Sequence, residues 1–370
     1  MRLLFIGDIM PGGVLPYQKD YISLELLEYL SKFDCRIGTL ECAMGDGLRY
    51  DEEKMMGKMN IIYSPTKEIV RLKEMGINVV SLANNHTFDL GSEGLESTIQ
   101  LLDKEGITWC GAGRNQEEAR CPAVIEVNGK KVAFLATCQY GTVYIGHVKK
   151  PSQTDAGINL LDIDSFCEDI RKAKELYDYV FALPHWGVEY TYLPTPECKK
   201  WAEMMIEAGA DGVFGSHTHQ IQPLLLYKNK PIAFSMGNFI FPDYYMEVPR
   251  PITYPDHATD TSTWIRYELY PKRINEPSVQ VWRHLSRIGM MVECDIDGKR
   301  TTTKYKLVYL SKRNILSTYL TPNAIQCRMK WMGWLVGLPG YTGIYNLYGS
   351  KFNLPRRGWH VLNRVLKKRK

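Results

Sequence analysis

The sequence has no Asp or Glu beyond Asp297, no C-x-x-C pair, no internal repeat and no low-complexity tract. Its nine cysteines, an odd number scattered from Cys35 to Cys327, suggest neither a disulfide framework nor a structural zinc site. Long apolar runs are also scarce. Residues 3–6 form the only apolar stretch before Gly7-Asp8, too short for the core of a secretory signal, so the cytoplasm is the expected location. Residues 331–350 carry no charge, but five glycines and Pro339 would break a helix in hydrocarbon, so no membrane span is expected there. A chain that is 45% hydrophobic and 24% charged is neither collagen-like nor disordered.

The missing acids unmask a split in charge. Of the 46 Lys and Arg, 16 lie beyond residue 297, which leaves 30 against all 41 Asp and Glu in residues 1–297. The body is therefore acidic and the tail basic. Arg356-Arg357 and Lys367-Lys368-Arg369-Lys370 bracket Trp359, Val361, Leu362, Val365 and Leu366 at near-helical spacing. Such a segment suits peripheral contact with the inner face of a membrane or packing on the main domain. Nucleic acid is not the expected partner, because no recognised nucleic-acid module accompanies the charges.

Residues 1–240 alternate short apolar runs with amphipathic stretches, the pattern of an α/β layered fold. Strands are predicted over 3–6, 37–40, 78–82, 131–137, 179–183 and 212–214, and helices over 21–33, 66–75, 92–105, 165–176 and 197–208. Strands at 289–296 and 303–310 follow a Pro- and Tyr-rich stretch read as an insertion or lid. At 370 residues the chain suits one large domain or two unequal ones, here divided as 1–241, 242–310 and 311–370.

Polar clusters follow the strands. Asp8, Glu41, Asn84-Asn85-His86, His185 and His217-Thr218-His219 all fall at carboxyl ends, where open α/β sheets bind ligands. Singly, each is more often a turn former or a structural histidine. Jointly, carboxylates, imidazoles and an amide from five segments are what a divalent metal site requires. His217 and His219 share a face on a strand, or can both turn inward from a tight loop.

Gly7-Asp8-Ile9-Met10, Leu40-Glu41, residues 83–91 (ANNHTFDLG), His185-Trp186-Gly187-Val188-Glu189-Tyr190, Gly215-Ser216-His217-Thr218-His219 and Ser235-Met236-Gly237-Asn238-Phe239 occur in an order and spacing that resemble the bacterial capsule synthesis protein CapA family. These are also called poly-gamma-glutamate capsule biosynthesis proteins, and they in turn resemble the calcineurin-like metallophosphatases. The resemblance covers about residues 1–241. It implies a four-layer αββα sandwich with a C-terminal extension and one or two divalent ions, Mn, Fe or Zn. It further implies that Asp8 and His219 hold one metal, that Asn85, His185 and His217 hold the other, and that Glu41 bridges them. His86 would protonate a leaving group and Asp89 would orient it. Met10 and Glu41 stand where the phosphatases usually place a histidine and an aspartate, and both agree with the CapA-like set; Thr39 stands where that set more often has Asn.

Around this cluster, Trp186, Glu189 and Tyr190 could line a substrate pocket or belong to the core, and Asn238 could bind a ligand or close a turn. The expected partner is an anionic or sugar polymer or its precursor. Three functions stay open: a CapA-like protein of capsule polysaccharide or poly-gamma-glutamate synthesis that hydrolyses a phosphoester or amide bond with metal-activated water, a free-standing metallophosphoesterase, and a noncatalytic polymer-binding assembly factor.

Overall fold

The structure is a computed structural model that describes residues 1–46, 61–140, 149–246, 252–256, 258–268, 276–298, 300–320 and 323–349. Its main strands, in chain order, are β1 (Arg2–Ile9), β2 (Cys35–Leu40), β3 (Val79–Ser81), β4 (Thr108–Cys110), β5 (Ala123–Val127), β6 (Lys130–Cys138), β7 (Tyr179–His185), β8 (Gly212–Phe214), β9 (Leu224–Tyr227), β10 (Lys230–Ala233), β11 (Asn238–Ile240), β12 (Ile288–Asp297), β13 (Arg300–Leu310) and β14 (Leu316–Tyr319). They form two large sheets. One runs β14-β13-β12-β1-β2-β3-β4, with β11 also beside β1, and the other runs β9-β10-β8-β7-β6-β5.

Period-two alternation explains how the sheets stack. In β6, Val132, Phe134 and Ala136 join the core shared with the first sheet, while Ala133 and Leu135 join a second core under the helices. In β7, Phe181 and Leu183 take the first side, Val180 and Ala182 the second. Phe5 of β1 closes the interior: its ring stacks 3.6 Å from Phe214 and lies 5.1 Å from Phe181. A strand buried on both faces has to be apolar throughout, which is why these segments read as continuous runs.

Helices cover the outer faces. Helices α1 (Leu24–Leu30), α2 (Ile69–Glu74) and α3 (Gly91–Glu105) pack on the first sheet, with Leu26, Leu72, Leu95 and Ile99 buried. Helices α4 (Ile163–Leu176) and α5 (Pro196–Glu207) cover the second sheet with Phe166, Ile170, Ala202 and Met205. The result is the expected αββα sandwich. Helix α1 starts later than the predicted 21–33 because the Ser23 hydroxyl accepts from the Leu26 N–H and caps it there. The predicted helix over 66–75 opens as a 3₁₀ turn, Thr66–Glu68, before α2.

The stretch read as a lid contains a four-stranded sheet of Tyr244–Met246, Ile252–Thr253, Ile265–Glu268 and Ser278–Val281. Strands of two to four residues leave little periodicity to read. Beyond β14 come helices α6 (Asn323–Gly337) and α7 (Tyr341–Ile344), and the Tyr341 hydroxyl donates to the Pro194 carbonyl at 2.6 Å. Among the described residues, no helix is long and apolar enough to cross a membrane. The basic segment 351–370 lies outside the described residues.

Candidate metal centre

Strand ends from both sheets meet at one edge. Asp8 lies near the end of β1, Glu41 follows β2, Asn85 and His86 follow β3, His185 ends β7, His217 and His219 follow β8, and Asn238 opens β11. Because β1, β2 and β3 run parallel, as do β7 and β8, their carboxyl ends point the same way within each sheet. Glycine lets the segments come this close. A Cβ on Gly7 would sit 1.8 Å from the Gly237 carbonyl oxygen, whose bond to the Asp8 N–H is 2.9 Å.

Two donor groups share one carboxylate. Glu41, His185 and His217 form one, and Asp8, Glu41 and His219 the other, with one ligand atom of each residue within 4.8 Å of the rest. Glu41 Oε1 is 3.5 Å from His185 Nε2 and 3.8 Å from His219 Nε2. Asn85 Oδ1 stands 2.7 Å from His185 Nε2, and His217 Nδ1 is 3.1 Å from the same nitrogen. An ion with ligands at about 2.1 Å sets neighbouring donors about 3.0–3.4 Å apart, so small adjustments suffice for coordination.

The donors are held, and the proton of His219 is placed. His219 Nδ1 lies 2.8 Å from Asn238 Oδ1, an acceptor only, so Nδ1 carries the proton and the Nε2 lone pair faces Glu41. His185 Nδ1 meets the Ser216 hydroxyl at 2.8 Å, and the Thr39 hydroxyl donates to the same Ser216 oxygen at 3.1 Å. His217 and His219 both have positive φ, 94° and 52°, backbone that non-glycine residues rarely adopt. The turn that folds both rings inward thus stores strain of about 1–3 kcal/mol per residue.

Electrostatics fit a cation. Asp8 and Glu41 are fully buried, and Asp8 Oδ1 accepts no hydrogen bond. Burial lifts the Asp8 carboxyl to about 7, although the His217 N–H opposes the shift. Burial pushes His219 down to about 4, and burial with the neighbouring His217 and His219 holds His185 well below its ordinary value. His185 and His219, kept neutral by burial beside desolvated carboxylates, are suitable donors for a divalent cation.

The remaining residues separate clearly. His86 Nδ1 is 2.7 Å from Asp89 Oδ2, which also accepts from the Ile62 N–H at 2.6 Å. Asn84 accepts from the His86 and Thr87 N–H groups at 2.9 Å and donates to the Leu40 carbonyl. Tyr190 lies with its ring 5.7 Å from His219, and Glu189 is partly exposed beside it. Trp186 is placed differently from a pocket residue. It is 1% exposed, packs in the core under the helices, and donates from Nε1 to the Phe234 carbonyl at 2.9 Å. Consecutive residues of extended chain face opposite ways, so His185 in the cluster sends Trp186 into the core. Asn238 is spent on His219 and the Ser286 carbonyl. Met10 is buried, and its sulfur accepts from the Gly12 N–H at 3.2 Å. Trp282, 4.9 Å from the His219 ring, had no signal in the sequence.

A family model described as "Bacterial capsule synthesis protein PGA_cap" matches residues 2–243, a segment that contains every donor above. The chain belongs to this PGA_cap family. The family segment runs from β1 through β11, and β12–β14 complete its first sheet from outside the match. Similar PGA_cap relatives include the capsule biosynthesis protein CapA of Bacillus anthracis, 29% identical over 75% of this chain and 68% of that protein. The PGA biosynthesis protein CapA of Bacillus subtilis is 28% identical over 74% of this chain and 71% of its own length. A solved hypothetical protein from Thermus thermophilus is 17% identical with a TM-score of 0.47, covering 83% of this chain and 98% of that one.

Proposed function

We propose that this PGA_cap protein is a metal-dependent hydrolase in capsule polysaccharide or poly-gamma-glutamate biosynthesis, cleaving a phosphoester or amide bond. The observation that carries this reading is the double use of Glu41 by two buried donor groups. Asp8, Glu41 and His219 would hold one divalent ion, and Glu41, His185 and His217 the second, with Asn85 beside His185. Bound there, such ions supply Lewis acidity and lower the pKa of water. The process follows from the names of the relatives in the two Bacillus species.

The protein's own groups do the rest. Asn238 and Ser216 keep His219 and His185 in orientation. Asp89 accepts from His86 Nδ1, so His86 Nε2 is the atom that passes a proton to the leaving group. Tyr190 and Trp282 flank His219 and exclude water on that side.

Elemental analysis of the purified chain, combined with turnover of an aryl phosphate and of poly-gamma-glutamate, tests the reading. The expected result is bound metal and hydrolysis of at least one probe. His86→Ala should lower turnover about 10²- to 10⁴-fold while leaving the metal in place. A metal-free chain sinks the proposal. A metal-loaded chain inert toward both probes shifts the assignment to an assembly role.

A further inference from the structure

The His219 backbone is strained at a φ of 52°, and such backbone persists only where the surroundings over-determine it. Part of that hold comes from residues 282–287, which lie beyond the family segment. Ser286 grips the ligand from two directions. Its carbonyl accepts from Asn238 Nδ2 at 3.0 Å, and Asn238 Oδ1 in turn accepts from His219 Nδ1 at 2.8 Å. Its hydroxyl accepts from Gln220 Nε2 at 2.6 Å, and Gln220 is the residue after His219. The Trp282 ring is centred 4.9 Å from that of His219, and Phe241 meets both rings edge-on, at 4.9 Å and 5.6 Å respectively.

The segment that carries these groups lies outside any strand ladder. Strand Ser278–Val281 ends before it, β12 begins after it at Ile288, and its 3₁₀ turn, His284–Arg287, has no side-chain cap. Arg287 supplies the missing support. Its Nε donates to the Trp282 carbonyl at 3.1 Å, its Nη1 to the Ser311 carbonyl at 2.9 Å, and its Nη2 to Asp243 Oδ1 at 2.5 Å. The same Asp243 oxygen accepts from the Trp282 N–H at 3.1 Å, and Trp282 Nε1 donates to the Pro242 carbonyl at 3.1 Å. The Arg287 and Asp243 side chains are 5% and 2% exposed, so solvent does not loosen this charge-assisted fork.

We propose that Arg287 is a positioning residue for the metal ligand His219. It locks residues 282–287 onto Asp243 and Ser311, and through Trp282 and Ser286 that segment keeps the His219 ring aimed at Glu41. The inference rests on the hydrolase reading only for the role of His219 as a ligand; the placement of the ring belongs to the chain without metal.

Long-range ¹H–¹⁵N spectra of the histidine-labelled full chain in chelator at pH 8 test the lock, with the His219 signals identified by their loss in His219→Gln. The wild type is expected to show a single tautomer with the proton on Nδ1. Arg287→Lys keeps a charge beside Asp243 but not the three-way fork, and should give averaged signals from both ring nitrogens. Trp282→Leu removes the ring through which the lock acts; it should do the same, and it decides the matter if the lysine variant does not fold. Phe5→Ala loosens the packing between the sheets and should leave the single tautomer, so general destabilisation stands apart. A wild-type spectrum in Arg287→Lys overturns the inference, as does equal averaging in Phe5→Ala. In metal titrations, Arg287→Lys should weaken binding of the ion that uses His219 about 10- to 100-fold and spare the ion held by His185 and His217. Equal weakening of both, or of neither, also overturns it. The two proposals fail separately. A chain that binds no metal, yet whose His219 tautomer depends on Arg287, removes the hydrolase and keeps the lock, whereas a metal-loaded hydrolytic chain whose His219 ignores Arg287→Lys does the reverse.

Discussion

Replacing Asp8 with Asn separates the energetic penalty of the site from its use. With no cation bound, the buried carboxylate opposes folding, because burial raises its pKa from 3.8 to about 7. Between those values the folded state holds more protons than the unfolded chain, so this group's contribution to stability falls as pH rises through that window. The linkage amounts to about 4 kcal/mol at pH 8 and about 2 kcal/mol at pH 5. His219, lowered to about 4, acts with the opposite sign between about 4 and 6.5, where the unfolded chain binds more protons. That contribution is common to both proteins and cancels in the comparison. Asn keeps an oxygen for the His217 N–H at 3.2 Å and removes the charge. In chelator at pH 8, Asp8→Asn is therefore expected to be more stable than the wild type by up to about 4 kcal/mol, and the gap should shrink at pH 5. Added Mn or Zn should reverse the order, since only the intact donor set gains by binding. Urea unfolding of both proteins with chelator and with metal measures each quantity. A chelated variant less stable than the chelated wild type at pH 8 would refute the reasoning, as would a wild type indifferent to metal.

Other expectations address the supports. Asn238→Ala and Ser216→Ala leave every ligand in place but free a histidine ring, so titration calorimetry should show metal affinity reduced about 10- to 100-fold. Metal must displace the proton held by Asp8, so apparent affinity should rise about tenfold per pH unit up to about 7 and then level off; a flat profile from pH 5 to 7 would remove that proton from the account. Phe5→Ala opens a void between the sheets where four aromatic rings meet, and denaturant unfolding should report a loss of about 3–5 kcal/mol.

The main layers were legible because both faces of the central strands are buried, which leaves apolar runs in the sequence. The donors were legible because each interrupts such a run at its carboxyl end. Supports at long range left no comparable mark. Ser216 reaches Thr39 across 177 residues, and Trp282 reaches His219 from a sheet of strands too short to show a period. Trp186 was readable in principle, because alternation sends it away from its neighbour His185, but an aromatic residue beside a ligand looks the same in either setting.

Local chemistry along the chain determined the layered fold, the strand-end positions of the six candidate ligands and the family resemblance, since strand period and residue type are properties of neighbours. Only the tertiary structure decided that Glu41 is shared, that Asn238 serves His219, and that α6 lays Arg328 over the Tyr192 ring. Those outcomes depend on distances between residues far apart in the chain, which two packed sheets and a docked helix set together.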